Sequence, residues 1–107
     1  MNEVEAGFVG FVDNDGTLTF GFITRNTSFV PTNADATPTY DIYSADMSTR
    51  IVTGATASVN SNESAGGYYL NQSISSGSFA AGGLYTVIIK YAISSAARRR
   101  CFFFQVT

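Results

Sequence analysis

The chain has 107 residues, 45% of them hydrophobic and 13% charged, with a formal net charge of −2 and no histidine. That length suits one domain, because two would each bury too little, and the apolar content excludes an intrinsically disordered chain. The slight negative charge argues against nucleic-acid binding, and the lack of histidine removes Ser-His and Cys-His nucleophilic chemistry and histidine metal ligands.

A single cysteine, Cys101, allows no intrachain disulfide. The acidic start Met1-Asn2-Glu3-Val4-Glu5 lacks the basic segment of a secretory signal, and the longest apolar runs fall far short of the ~20 residues that span a bilayer. The expectation is a chain that is soluble or sits in a soluble assembly, with no membrane contact. Low charge beside 14% aromatics implies that a partner covers some apolar surface.

In chain order, residues 1–16 stand apart. Gly7-Phe8-Val9-Gly10-Phe11-Val12 repeats a Gly-Phe-Val triplet and runs into the turn signal Asp13-Asn14-Asp15-Gly16. This segment is either a first strand or an N-terminal arm that orders on a partner. As an arm it is expected to be dispensable, so that deletion of residues 1–12 leaves the fold intact. From Thr17 to Thr24, Leu18, Phe20 and Phe22 share one face of a half-buried strand. Pro31 to Pro38 is a loop, and Thr39 to Tyr43 a strand with Tyr40 and Ile42 on one face. After a turn at Ser44–Ser48, short strands are expected at 50–53 and 55–59, broken at Gly54. A polar loop at 60–66 leads to a strand from Gly67 to Ile74, and Ser75 to Gly83 is a Ser/Gly/Ala connection.

The last segments alternate most clearly. Tyr85, Val87, Ile89, Tyr91 and Ile93 share a face, as do Phe102, Phe104 and Val106. A Ser/Ala-rich turn within 92–97 joins them into a hairpin. Roughly seven short strands with turn signals between them is the pattern of an all-β, Ig-like antiparallel β-sandwich over residues 17–107.

The run Pro38-Thr39-Tyr40-Asp41-Ile42-Tyr43-Ser44-Ala45-Asp46 resembles a pattern in small structural proteins of tailed bacteriophages: a proline, an aromatic-x-aliphatic-Tyr strand and an Asp-rich turn, here with Met47 where glycine is more usual. Phe29 to Thr37 resembles the loop leading into that strand. Gly83-Leu84-Tyr85-Thr86-Val87 and Phe102-Phe103-Phe104-Gln105-Val106 resemble the last two strands. The likeness covers residues 17–107 and leaves 1–16 out. It implies an Ig-like virion structural protein: a capsid decoration or cement protein, a neck or tail component, or a fibre module. The implied partners are other virion proteins (major capsid, portal or neck), with many copies or a homo-oligomer in the particle. The implied location is the virion, assembled in the host cytoplasm. It carries no catalytic residue and no cofactor.

Candidate site residues follow from the same alternation. Phe8 and Phe11 are expected to dock on a neighbouring protein, adding strand hydrogen bonds to an open edge. Arg98, Arg99 and Arg100 hold half of all the basic charge, with Arg98 and Arg100 on one strand face and Arg99 on the other. They suit an acidic protein surface, including the chain's own acidic head (Glu3, Glu5, Asp13, Asp15) on another subunit, or packaged DNA, which the net negative charge disfavours, or else discourage edge pairing. Phe103 and Cys101 share the face opposite Phe102 and Phe104, where an aromatic suggests a contact between subunits. Tyr68-Tyr69 beside Gly66-Gly67 could be a sugar-stacking platform for a host-glycan module, or one core and one surface tyrosine. Asp13-Asn14-Asp15-Gly16 reads as a β-turn, since a calcium loop would need further spaced oxygens where Leu18 and Phe20 stand. No metal site and no enzyme are expected.

Overall fold

The alternation of the last two segments becomes a long hairpin in the computed structural model, which describes residues 6–107. In chain order the strands are β1 (Ala6–Val12), β2 (Thr17–Ile23), β3 (Thr39–Ser44), β4 (Arg50–Thr56), β5 (Ser58–Val59), β6 (Gly67–Ser73), β7 (Leu84–Ile93) and β8 (Ala96–Val106). β7 and β8 pair antiparallel from Leu84 with Gln105 to Ile93 with Ala96. Every second residue of β7 from Tyr85 to Ile93 is buried, and so are Arg100, Phe102, Phe104 and Val106 of β8.

The hairpin closes in only two residues, Ser94 and Ser95, with φ of 50° and 67°. Positive φ at both positions is the type I′ pattern that matches strand twist, and it normally selects Asn-Gly. Serines hold it here because the Asp35 carboxylate supports it from outside. The Ser94 N–H donates to Oδ1 (3.0 Å) and the Ser95 N–H to Oδ2 (2.7 Å). The sequence signals a looser turn at this point, since the supporting carboxylate lies about 60 residues upstream.

The hairpin centres a five-stranded sheet in the order β1-β8-β7-β3-β4, and a three-stranded sheet β2-β6-β5 covers its inner face. Ile42, Leu70, Ile74, Val87, Ile89, Phe104 and Val106 are fully buried between the layers. Phe20 meets Phe102 across the gap at 5.0 Å, and Phe22 stacks on Tyr68 at 5.8 Å. Phe79 lies in the Ser/Gly/Ala connection, yet it is buried and packs edge-on against Tyr85 at 4.9 Å. This arrangement is an Ig-like β-sandwich.

Four features differ from the sequence expectation. β1 pairs with β8 in parallel. The Asp13–Gly16 turn carries the chain into the opposite sheet rather than back along the same one, so no hairpin constraint applies. Val12 is part of the core and its carbonyl accepts from the Thr107 N–H at 2.9 Å, so removing residues 1–12 would strip a core side chain and expose the edge of β8. Residues 1–5, with Glu3 and Glu5, lie outside the described residues. β4 runs unbroken through Gly54, because the Gly54 N–H is held by Asp41 Oδ1 at 2.7 Å. The chain changes sheets at buried Ala57 instead, whose N–H bonds the Pro38 carbonyl.

The β2–β3, β5–β6 and β7–β8 connections meet at one end. There Gly66, with φ of 72°, donates to Asn33 Oδ1 at 2.7 Å. A Cβ on Gly66 would lie 2.5 Å from the Thr24 carbonyl oxygen, so only glycine fits.

Replacing Ser94-Ser95 by Asn-Gly should stabilise the protein by about 1 kcal/mol, because it removes left-handed strain while keeping both N–H donors. Asp35→Ala should cost about 1–2 kcal/mol. Chemical denaturation of the two variants checks both signs.

Candidate functional site: the outer face of the five-stranded sheet

The strand register fixes which side chains share the outer face of the larger sheet. One row across the strands holds Thr39, Lys90 and Arg99. The next holds Asp41, Ile88 and Cys101, and the third Tyr43, Thr86, Phe103 and Phe8. The last holds Leu84, Gln105 and Phe11.

β1 owes its place on this face to an irregularity. Its register with β8 shifts between Phe8 and Gly10, and Gly10 takes a φ of 124°. The extra residue resets the alternation, so that Phe8 and Phe11 point the same way although three positions apart. Their rings meet edge-on at 5.3 Å and remain 52% and 66% exposed. Simple alternation from the repeated triplet cannot find this, because a bulge has no period. Leu84 is also exposed, and Phe103 and Ile88 are half-buried. The result is a continuous apolar band of Phe8, Phe11, Leu84, Phe103 and Ile88, with the half-buried Cys101 among them.

Charge flanks the band. Above it, Lys90 Nζ meets Asp41 Oδ2 at 2.6 Å, with the lysine side chain 43% exposed and the carboxylate buried. Burial pushes the Asp41 carboxyl up, but hydrogen bonds from Lys90 and from the Gly54 N–H outweigh it and leave it below its ordinary value. Sequence reading did not single out this pair, whose partners are 49 positions apart. Below the band lie the exposed Asp13 and Asp15 of the β1–β2 turn and Asp46 of the β3–β4 turn. Hydrogen bonds from the Ser48 side chain, the Ser48 N–H and the Ser44 hydroxyl hold Asp46 down at about 2.

The arginine run divides. Arg98 and Arg100 pair with Tyr91 and Ile89 on the inward side of β8, and only Arg99 faces outward, where it is exposed. Arg100 is 4% exposed with its guanidinium 6.0 Å over the Tyr91 ring. The phase set by Phe102 and Phe104 turns it inward, so its side chain lies away from the outer face on which a partner contact is expected. Arg98 is half-buried on the same side. Tyr68 is likewise in the core, stacked on Phe22, with its hydroxyl accepting from the Ala34 N–H at 3.0 Å. Tyr68 is therefore not exposed beside Tyr69, which is half-buried on the other side of β6. Chemically, this outer face can bind by burying apolar area between charged flanks.

Lys90→Ala should lower stability by about 1–2 kcal/mol at neutral pH, since it leaves a buried carboxylate without its cation. In the native protein Asp41 is held below 3.8, so its contribution is complete above that value and is lost as pH falls through and below it. The gap between native and Lys90→Ala should therefore narrow in acid, as urea unfolding at neutral pH and near pH 3 would show.

No protein-family model and no curated protein sequence matches the chain. Among solved structures, titin domain M7 is similar at 16% identity and a TM-score of 0.47, covering 94% of this chain and 86% of that one.

Proposed function

We propose that the protein is a non-catalytic virion structural component that docks on neighbouring virion proteins through the outer face of its five-stranded sheet. Its place is a capsid decoration or cement position or the head–neck region of a tailed phage. The phage assignment draws on the strand and loop resemblance at residues 29–46 and in β7 and β8. The docking assignment draws on one observation above the rest: Phe8 and Phe11 are more than half exposed on a folded strand, beside Phe103 and Leu84. Monomeric proteins rarely leave such a band uncovered.

The mechanism is passive. Because β1 is already paired with β8, the aromatic rings sit on a preformed surface, and little chain entropy is lost on binding. Of the two readings of this segment, strand or arm, the pairing of β1 with β8 favours the edge strand. Its outer edge can still accept a strand from a neighbour, with the Gly10 bulge limiting how far pairing extends. Many copies, each binding modestly, hold firmly together through avidity. The glycan-binding alternative loses its platform with the burial of Tyr68.

A Phe8→Ser/Phe11→Ser variant should keep its melting temperature within a few degrees, since both rings face solvent. Its incorporation into purified particles, compared with the native chain by quantitative mass spectrometry, should fall about tenfold or more. Normal incorporation would remove the docking role.

A further inference from the structure

We propose that the occupant of this face is a second copy of the same chain, in a face-to-face twofold dimer with the strands of the two copies antiparallel. The proposal rests on the docking role of the face given above and names its partner.

The face is close to symmetric about one row. Phe103 and Thr86 lie side by side at its centre. Four positions before Phe103 on β8 is the outward, exposed Arg99; four positions after it is Thr107, whose hydroxyl holds Asp13 Oδ1 at 2.9 Å. A base and an acid therefore stand at equal spacing on either side of the aromatic centre. A twofold axis running across the strands through the Phe103–Thr86 row inverts the face end to end. It lays Arg99 of each copy over Asp13 of the other and so makes the charge pair twice. The same operation sets Ile88, two positions beyond Thr86, over Leu84, two positions before it. Apolar meets apolar, while Phe8 and Phe103 of each copy meet near the axis. An axis along the strands would instead stack Arg99 on Arg99 and Asp13 on Asp13, which like-charge repulsion disfavours. Lys90 adds little, because it is engaged with Asp41. Two sheets stacked in this way sit about 10 Å apart, with strands within about 30° of antiparallel alignment, the ordinary geometry of sandwich layers.

The test is the oligomeric state of the full chain by sedimentation equilibrium. The native protein should show a monomer–dimer equilibrium, and Phe103→Asp should be monomeric with an unchanged far-ultraviolet circular dichroism spectrum. Arg99→Asp and Asp13→Arg should each weaken the dimer about tenfold or more, and the double reversal should restore it to within a few-fold of native. The rescue does not depend on the fold tolerating a charge at Phe103. A native chain that stays monomeric at all concentrations, or a dimer indifferent to both single reversals, overturns the proposal. The particle assay keeps the two claims apart. A monomeric chain that still enters particles through Phe8 and Phe11 overturns self-pairing and leaves docking standing. A dimer with charge rescue whose Phe8/Phe11 variant enters particles normally supports self-pairing and overturns docking.

Discussion

The ladder between β7 and β8 carries the rest of the molecule. It is the longest pairing in the fold, and its register is fixed by a turn of two residues that cannot shift without losing both hydrogen bonds to Asp35. A slip of one residue would send Phe102, Phe104 and Val106 into water and bring Arg99, Cys101 and Phe103 into the core. With that register held, β3 attaches along β7 and β1 along β8, and the smaller sheet closes over the side chains that face inward. The Asp35 carboxylate also ties the long β2–β3 connection to the hairpin. The Asn33 side chain ties the same connection to Gly66, so one loop locks both sheets at that end.

The same ladder explains the surface. Period-two alternation in a strand with aromatics on both faces cannot bury all of them in one core. Phe102 and Phe104 go in, and Phe103 is left outside. β1 adds Phe8 and Phe11 to that outer side because its bulge at Gly10 puts both rings on one face. An apolar outer face is thus a direct consequence of the sequence pattern, and its position between Arg99 and Asp13 gives it a polarity that a partner can match.

Much of this was legible in the sequence where one face of a strand is buried and the alternation is clean. β2, β3, β6 and the closing hairpin follow from Leu18, Phe22, Tyr40, Ile42, Leu70 and the two alternating runs at the end. The Ig-like sandwich follows from their number and spacing. Legibility ends where a distant residue or a local irregularity decides. The two-serine turn depends on Asp35, and the continuity of β4 through Gly54 depends on Asp41. The parallel course of β1 depends on a turn that switches sheets. Alternation within Tyr68-Tyr69 requires one ring in and one out but does not say which, until the pairing of Tyr68 with Phe22 settles the phase. The three arginines have the same ambiguity, and Arg100 turns inward because Phe102 and Phe104 lead it there. Phe79 gives no periodic signal, since it is one ring in a flexible-looking connection.

The hairpin's two faces differ in what they carry: Phe104 is fully buried in the core, and Phe103 lies half-buried on the outer face. Urea unfolding of Phe104→Ala and Phe103→Ala, compared side by side in dilute solution, separates the two faces. Phe104→Ala should lose about 3–5 kcal/mol, because it empties a fully buried site. Phe103→Ala should lose no more than about 1 kcal/mol. Equal losses at the two positions, or a larger loss at Phe103, would contradict that difference.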